Sequence, residues 1–371
     1  MQNIPVNQPL FSGNEKKYLM ECIDTGWISS EGPFIEKFEK GISSVVSRKH
    51  GIAVTNGTAA LEVSIAALDI GPGDEVILPT FTIISCISQI IRSGATPILV
   101  DVDPFTWNMN ADDVINKITN KTKLIIVVHI YGLPVDMDPI LEIAKNNKIK
   151  VLEDAAEMLG QTYKGKPCGS FGDISTFSFY PNKHITTGEG GMVLTNDDEL
   201  AIKIKGLRNL CFEPSKRFVH QELGWNLRMT NLQAAVGLAQ LENLAIHVEK
   251  KRRIGLLYTE LLRHNISIQL PIEKTLYAEN IYWVYGVIIN EQSNYNAVEA
   301  MRRLGDRGIG TRPFFYPMHQ QPILKKMGFF KGEKYPVAEK IAEKGFYIPS
   351  GLALEDNQIL NVVKILNEVI T

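Results

Sequence analysis

A lysine between two apolar runs is the residue of this sequence best suited to covalent chemistry. Lys183 lies in the segment Thr176–Gly191, TFSFYPNKHITTGEGG, after one predicted β-strand and before another. α/β folds place reactive groups at strand ends, where desolvation or nearby positive charge lowers the pKa of an amine and frees it to form a Schiff base. The glycines at positions 188, 190 and 191 permit close backbone approach, and Ser178 offers a hydroxyl. This setting favours a reactive lysine over a solvated surface lysine.

A carboxylate ends a second apolar strand, in the segment Val151–Glu157, VLEDAAE. Asp154 at that position could keep a pyridine nitrogen protonated, which turns the ring into an electron sink. An isolated aspartate at a strand end is more often the N-cap of a helix. By itself this segment therefore leaves both interpretations open.

A third segment, Thr55–Leu61, TNGTAAL, runs from a strand end into a helix. The backbone N–H groups at the start of a helix, together with the hydroxyl of Thr58, form a site for an anion. An ordinary helix cap explains this segment equally well in isolation. The combination is more informative, because an anion site, a strand-end carboxylate and a loop lysine match the phosphate, ring nitrogen and aldehyde of pyridoxal phosphate (PLP). We therefore predict PLP as the cofactor.

Apolar β-branched runs alternate with helical patterns from about residue 50 to 210. Strands that are apolar on both faces and spaced by helices predict an α/β fold, with a mostly parallel sheet of seven strands in a large domain. The predicted strands are Gly51–Thr55, Glu75–Pro79, Thr96–Val102, Leu124–Ile130, Lys150–Glu153, Ile174–Tyr180 and Gly191–Thr195.

The pattern changes to α+β after about residue 230. A long helical stretch from Asn231 to His264 precedes an aromatic strand at Tyr282–Ile289, a helix at Ala297–Arg307 and a closing helix at Asn357–Val369. This order predicts a smaller α+β domain. We place the large cofactor-binding domain at residues 1–245 and the small C-terminal domain at residues 246–371.

The composition argues against several classes of protein. The chain has 371 residues and a formal net charge of −2, so it lacks the basic excess of a nucleic-acid or membrane-surface binder. Its apolar runs are too short to span a bilayer, and its first residues do not resemble a signal peptide. The four cysteines are widely scattered without a CxxC pair, so we predict neither a metal site nor a disulfide framework. We expect a cytoplasmic protein that binds neither nucleic acid nor membranes.

Motifs spread over nearly the whole chain carry a family resemblance; they are Gly26–Ser30, Gly71–Pro79, Gly94–Pro97, His129–Gly132, Glu153–Glu157, Thr176–Gly191 and Asn226–Asn231. They resemble the fold type I sugar aminotransferases of the DegT/DnrJ/EryC1/StrS family. Within that family, Lys183–Gly191 and Thr311–His319 are most similar to the GDP-perosamine synthases and their C4-aminating relatives.

The resemblance implies a role for each residue around the cofactor. It makes Lys183 the Schiff-base lysine and Asp154 the partner of the pyridine nitrogen. A loop asparagine of the family reaches the phosphate in the neighbouring subunit, and Asn226 matches it, which implies a homodimer with shared active sites. The implied phosphate ligands in the chain itself are Gly57, Thr58 and Ser178, and the residues near the ring are His129, Glu157 and Gln161.

The resemblance also implies a substrate side of the site. There, the residues expected to approach the sugar nucleotide are His129, Arg312, Tyr316 and His319. One position departs from the family pattern, because many relatives have an aromatic residue after Pro-x-x-Thr where this chain has Ile83. We expect Ile83 to pack on the cofactor ring without the stacking geometry of an aromatic side chain.

The reaction implied is transfer of an amino group from glutamate to a nucleotide-linked 4-keto-6-deoxy sugar, giving a 4-amino sugar of the kind used in O-antigen and other polysaccharides. C3 amination and C3 dehydration by the same family are alternatives. The dehydratases carry histidine at the lysine position, and here His184 directly follows Lys183. A non-catalytic regulator on the same fold is an alternative of another class, against which the retention of all three cofactor segments argues.

Overall fold

The computed structural model describes residues 3–213, 215–291 and 295–370. Its strands are β1 His50–Val54, β2 Glu75–Pro79, β3 Thr96–Val100, β4 Thr122–Val128, β5 Lys150–Asp154, β6 Thr162–Tyr163, β7 Lys166–Pro167, β8 Ile174–Ser178, β9 Gly191–Thr195, β10 Ile268–Gln269, β11 Tyr285–Ile289, β12 Arg312–Pro313 and β13 Gly345–Ile348. Its helices are α1 Glu15–Thr25, α2 Pro33–Val46, α3 Gly57–Ala67, α4 Ile84–Arg92, α5 Ala111–Asn116, α6 Met137–Asn147, α7 Asp198–Arg208, α8 Asn231–Glu242, α9 Leu244–Leu262, α10 Ala297–Asp306, α11 Pro322–Lys326, α12 Pro336–Lys344 and α13 Asp356–Ile370.

The main sheet has seven strands in the order β1-β9-β8-β5-β4-β2-β3. The neighbours from β8 to β3 pair in parallel, whereas β9 pairs antiparallel with both β1 and β8. The predicted seven-stranded, mostly parallel sheet of an α/β fold is therefore confirmed.

Strand β4 shows why this sheet is covered on both faces. Its sequence is TKLIIVV, and its last five residues are all buried. Successive side chains of a strand point to opposite faces. Ile125 and Val127 accordingly pack in one core with residues of α2, α6 and α8, while Ile126 and Val128 pack in a second core with residues of α4. Burial on both faces explains why the strand is a continuous apolar run rather than an alternating one.

The carboxyl ends of the parallel strands meet at one edge of the sheet. Because β9 runs in the opposite direction, its amino end lies at this edge as well. The segments that follow β1, β2, β4, β5 and β8, together with the turn before β9, are therefore brought together there. This edge is where open α/β sheets bind their ligands.

A second, antiparallel sheet has the order β10-β11-β13-β12. With α9, α10 and α13 it surrounds a separate core that contains Tyr258, Val287, Leu304, Phe346 and Leu366. The proposed domain boundary after residue 245 lies in the first turn of α9 and stays a prediction.

The predicted helical stretch from Asn231 to His264 is divided into α8 and α9 at Asn243. The side-chain amide of Asn243 donates to the carbonyl of Ala239 at 3.3 Å. Such a bond competes with the backbone bond that would continue the helix. No helix within residues 3–213, 215–291 and 295–370 is both long and apolar enough to cross a lipid bilayer.

The aromatic strand begins at Tyr285 rather than at the predicted Tyr282. Tyr282 has a φ of +50°, which extended strands do not adopt. The side-chain oxygen of Asn280 accepts from the backbone N–H of Tyr282 at 2.7 Å and stabilises a turn there. This turn brings Trp283 to the edge of the main sheet, where it lines the cavity described next.

Candidate active site

A cavity of about 720 Å³ lies at the carboxyl edge of the main sheet. The predicted site residues that line it are Gly57, Thr58, Ile83, His129, Asp154, Glu157, Ser178 and Lys183. Within the described part of the chain, the lining does not include Asn226, Arg312, Tyr316 or His319. The structure therefore brings the predicted cofactor residues of one chain together and leaves most of the predicted substrate residues outside.

The start of α3 forms the candidate anion site. The side chain of Asn56 caps the helix by accepting from Ala59 N at 2.8 Å. The first N–H groups of a helix have no carbonyl partner within it, so those of Gly57 and Thr58 are available to an anion. A Cβ at position 57 would lie 2.9 Å from the Cβ of Ser178. Glycine is thus required for the close approach that places Ser178 beside the helix start.

Asp154 is the last residue of β5 and is buried. Its Oδ2 accepts from Cys86 Sγ at 3.3 Å, and its Oδ1 accepts from Ala156 N at 3.2 Å. Burial raises the pKa of this carboxyl. No helix begins in the turns that directly follow β5, so the N-cap interpretation does not apply to Asp154. A buried carboxylate that has only neutral hydrogen-bond partners is stabilised by a cation placed against it.

Lys183 lies in the loop between β8 and β9, and its side chain is only 13% exposed. Its Nζ lies 3.7 Å from Oε1 of Glu157 and 3.8 Å from the ring centroid of Trp283. Burial lowers the pKa of the amine, and the carboxyls of Glu157 and Asp154 partly oppose this effect. An amine with a lowered pKa is more often unprotonated and nucleophilic near neutral pH.

Glu157 is the nearest acidic group to that amine. Its Oε2 accepts from the backbone N–H of Tyr131 at 2.6 Å. Burial raises the pKa of Glu157 to about 8, even though Lys183 has the opposite effect. Burial therefore holds this carboxyl toward its protonated form, and the 3.7 Å between Lys183 Nζ and Oε1 is too long for a hydrogen bond.

His129 lines the cavity without a free ring nitrogen. Its Nδ1 accepts from Val135 N at 3.0 Å, so Nε2 carries the hydrogen and donates to Oε1 of Glu153 at 2.9 Å. Both ring nitrogens of His129 are thus engaged within the chain, and its predicted contact with the substrate stays a prediction. Gln161 is not part of the cavity lining: its Nε2 donates to the carbonyls of Gly132 and Glu279 at 2.7 Å each, and its predicted place near the ring stays a prediction.

The group of His129, Glu153 and Cys168 has the composition of a possible metal cluster. The carboxylate of Glu153 already accepts from the backbone N–H groups of Gly169 and Phe171 in addition to His129. Because the oxygens of Glu153 are engaged in this way, the buried carboxylate stabilises the loop that follows β7.

His319 is the predicted substrate residue whose surroundings differ most from the expectation. It is buried, its Nδ1 forms a hydrogen bond with the hydroxyl of Thr80 at 2.8 Å, and its Nε2 contacts Oε1 of Glu339 at 2.9 Å. With both ring nitrogens engaged, His319 connects the end of β2 to α12 and does not reach the cavity. Tyr316 is half-exposed on the surface, also outside the lining.

Arg312 and Asn226 lie outside the cavity in different ways. Arg312 is exposed in β12, directly opposite Tyr347 of β13, whose side chain does line the cavity. Asn226 is exposed and forms an isolated bridge with Asn209, while its neighbour Leu227 lines the cavity. Arg312 is therefore at the rim, and Asn226 faces away from the site of its own chain.

The sequence did not indicate several residues that complete the cavity. Trp283, Phe315 and Tyr347 form an aromatic wall contributed by the C-terminal part of the chain. The aromatic pattern around residue 283 was visible but was assigned only to a strand. Cys86, which donates to Asp154, gave no signal beyond a scattered cysteine.

The residues present fit PLP. The anion site at α3, the buried carboxyl of Asp154 and the buried amine of Lys183 all border one cavity, whose volume suits a small-molecule site. Within the described residues, no cation forms a hydrogen bond with the buried carboxylate of Asp154. A protonated ring nitrogen would supply that cation, so Asp154 fits it. Ile83, about half-exposed at the cavity wall, is placed to pack on a flat ring.

Comparison with known proteins agrees with this geometry. The sequence model of the DegT/DnrJ/EryC1/StrS aminotransferase family matches residues 10–367. The chain is 42% identical over 371 residues to a GDP-perosamine synthase of Caulobacter vibrioides, covering 100% of this chain and 99% of the relative. It is 41% identical over 368 residues to a GDP-perosamine synthase of Escherichia coli O157:H7, covering 99% of each.

A solved structure gives the same result for the fold. The PLP form of Spr1654 from Streptococcus pneumoniae superposes with a TM-score of 0.92 at 27% identity, covering 100% of each chain. The family match therefore extends over both sheets and every cofactor segment, and the chain belongs to the DegT/DnrJ/EryC1/StrS aminotransferase family.

Proposed function

We propose that this enzyme uses PLP to transfer an amino group from glutamate to C4 of a nucleotide-linked 4-keto-6-deoxy sugar, with a GDP-linked sugar as substrate. The observation that carries the proposal is the convergence of Lys183, Asp154 and the start of α3 on one cavity. The full-length relatives named GDP-perosamine synthase support the choice of sugar and of C4.

The residues divide the work of holding the cofactor. Gly57 and Thr58 would bind the phosphate through their N–H groups, with the hydroxyl of Ser178 beside them. Asp154 would hold the proton on the ring nitrogen, and Cys86 orients that carboxylate from behind. When bound, PLP supplies a reactive aldehyde carbon and a ring that accepts electrons.

Lys183 is the group that moves protons. Its Nζ would accept the proton from Cα of glutamate and pass it to the former aldehyde carbon of the cofactor, so that 2-oxoglutarate can form. In the second half of the reaction the same amine would deliver a proton at C4 of the sugar. The net change exchanges the amino group of glutamate for the keto oxygen of the sugar, so no external oxidant or reductant is needed.

The positions of Lys183 and His184 argue against the C3 dehydratase alternative. Lys183 borders the cavity, whereas His184 is buried outside the lining, where its backbone oxygen is bonded to Nδ1 of His247. The residue placed to react is therefore the lysine, which the dehydratases lack.

Incubation with ¹⁵N-glutamate and a panel of nucleotide-linked 3-keto and 4-keto sugars tests the proposed reaction. We expect ¹⁵N in a 4-amino sugar, with the GDP-linked 4-keto-6-deoxyhexose converted fastest. Label at C3 would identify a C3 aminotransferase, and a product that lacks the C3 oxygen and contains no ¹⁵N would identify a dehydratase. Either result would contradict the proposal.

We further propose a homodimer in which Asn226 reaches the phosphate site of the partner subunit. The loop before Asn226 exposes large apolar side chains: Phe218 is 80% exposed and Leu223 is 92% exposed. Exposed apolar surface of this kind is typical of a region that contacts another chain.

A subunit-mixing experiment tests the shared site. Lys183→Ala and Asn226→Ala homodimers are each expected to be inactive, and mixing them should restore part of the activity, because one site of the hybrid retains both residues. Mixing Lys183→Ala with Lys183→Ala/Asn226→Ala subunits is the control that should restore none. If exchange is verified by mass and the first mixture stays inactive, Asn226 does not act across the interface.

Arg312 is proposed to anchor the sugar nucleotide, because its guanidinium matches phosphate geometry and it lies opposite Tyr347 at the cavity rim. Arg312→Ala should raise KM for the nucleotide sugar by about ten- to a hundredfold, the effect of a lost charge-assisted hydrogen bond. The glutamate half-reaction should hardly change.

Arg307→Ala is a matched control for that variant, since Arg307 is a surface arginine paired with Glu368. It should leave both half-reactions unchanged. Equal damage to both half-reactions in Arg312→Ala would show that Arg312 is structural, and unchanged sugar-nucleotide kinetics would place the anchor elsewhere.

A further inference from the structure

Trp283 lies directly against the reactive amine. The centroid of its ring is 3.8 Å from Nζ of Lys183, and Oε1 of Glu157 is 3.7 Å from the same nitrogen. Trp283 is buried, so this contact is shielded from water. The amine thus has an indole face and a carboxyl group as its immediate neighbours, and the indole face favours the charged form of the amine.

Trp283 also holds the backbone that carries this lysine. Its Nε1 donates to the carbonyl of Asn182 at 2.8 Å, across 101 positions of sequence. The residue before Lys183 and the amine of Lys183 are therefore both positioned by one side chain. This side chain comes from the segment before β11, outside the main sheet.

A buried lysine supports Trp283 from behind. Lys251 of α9 donates to the carbonyl of Trp283 at 2.8 Å and to the carbonyl of Ser350 at 2.6 Å. Burial lowers the pKa of Lys251 to about 7. A polar group buried in this way is costly unless its hydrogen bonds are made, so the two carbonyl contacts tie Trp283 firmly to α9.

We propose that Trp283 is a further catalytic residue, whose indole face holds the amine of Lys183 while it carries a proton, and that Lys251 is a positioning residue that acts through Trp283. The inference rests on the proposed amino transfer, in which Lys183 must leave the cofactor and carry a proton in each half-reaction. An aromatic face attracts an ammonium group more than a neutral amine. Trp283 thereby favours the state in which Lys183 is released and charged.

The first test compares Trp283→Leu with Trp283→Phe in the holoenzyme. The leucine variant should slow the glutamate half-reaction by about two- to thirtyfold and increase its isotope effect with Cα-deuterated glutamate. The absorbance band of the cofactor bonded to Lys183 changes with pH, and the midpoint of that titration gives a band pKa. The leucine variant should lower this band pKa by about 0.5–1.5. The phenylalanine variant keeps an aromatic face and loses the bond to Asn182, so its band should titrate nearly as in the wild type.

Trp107→Leu is the matched control. Trp107 is buried in the same aromatic group, 6.0 Å from the ring of Tyr131, and does not contact Lys183. Its loss should lower the melting temperature without moving the absorbance titration. An unchanged band and half-reaction in folded Trp283→Leu would overturn the catalytic assignment, as would an equal change in Trp107→Leu.

The second test concerns Lys251. Lys251→Met should reproduce part of the change in band pKa, and Lys251→Arg, which retains a cationic donor, should restore most of it. The double variant Trp283→Leu/Lys251→Met should show no further change in band pKa, since residues that act through one contact are not additive. A fully additive change would show that Lys251 does not act through Trp283.

These measurements need only the holoenzyme and glutamate. A wrong assignment of the sugar substrate would appear in the panel of nucleotide sugars and would leave the titration and the glutamate half-reaction as expected. Failure of the inference would instead leave normal sugar amination together with an unshifted band in folded Trp283→Leu.

Discussion

Replacement of Lys183 by alanine is expected to abolish amino transfer while leaving the fold intact. Among the described residues that line the cavity, Lys183 is the only lysine. Its removal therefore leaves no group that could both bond the cofactor and move protons. The loss should not expose an unpaired buried charge, because the pKa of Glu157 is already raised to about 8. Activity and melting temperature measured on the same preparation check both parts of this prediction.

Borohydride reduction of the holoenzyme, followed by peptide mapping, identifies the attachment site independently of activity. The adduct is expected on Lys183 in the wild type and on no lysine in Lys183→Ala. Lys251 is the informative competitor, since burial lowers its pKa to about 7, yet Lys251 does not line the cavity and its Nζ donates to the backbone carbonyls of Trp283 and Ser350. An adduct on Lys251 or on any other lysine would refute the assignment.

Lys150→Ala serves as the matched control, because Lys150 is an exposed lysine. It forms an ion pair with Asp173, and neither residue lines the cavity. It should retain wild-type activity and the full adduct on Lys183. Loss of activity in both variants would indicate a general sensitivity to lysine removal rather than a special role for Lys183.

The sequence predicted the cofactor side of the site because these residues follow strand ends. The carboxyl ends of the parallel strands lie at one edge of the sheet, so Gly57, Asp154 and Lys183, which follow or end β1, β5 and β8, are brought to the same edge. Each segment alone had an ordinary structural explanation. Their convergence needed only the fold class, which the alternation of apolar runs and helices already indicated.

The substrate contacts stay predictions, because residue type does not reveal which partners a side chain already has in the folded chain. His129 and His319 both lie near the carboxyl edge of the main sheet. In the folded chain, however, Nδ1 of His129 accepts from Val135 N, and Nε2 of His319 contacts Glu339. The aromatic wall comes from positions distant in sequence, so no local pattern assigned Trp283 to the cavity. The domain boundary after residue 245 and the cytoplasmic location stay predictions.

Asp154→Asn is expected to retain the cofactor and lose most of the activity. An amide has no charge to hold a proton on the ring nitrogen, so the ring withdraws electrons less strongly in both half-reactions. The loss should be at least about ten- to a hundredfold, the effect of removing one charge-assisted hydrogen bond. The ¹⁵N chemical shift of ring-labelled PLP reports the nitrogen proton directly, and we expect it to show an unprotonated nitrogen in the variant.

Asp101→Asn separates this electronic role from a structural one. Asp101 also follows a strand of the main sheet, but its oxygens accept from the backbone N–H groups of Val337 and Ala338 at the start of α12. The amide of the variant keeps only one of these two oxygens, so the change should cost stability, on the order of 1 kcal/mol for one lost hydrogen bond, and leave the rate per folded molecule unchanged. Asp154→Asn should show the opposite pattern, because its carboxylate is bonded to Cys86 beneath the cavity and caps no helix. If Asp154→Asn kept near wild-type turnover and only melted earlier, Asp154 would be a structural residue and the ring proton would have to be held by another group.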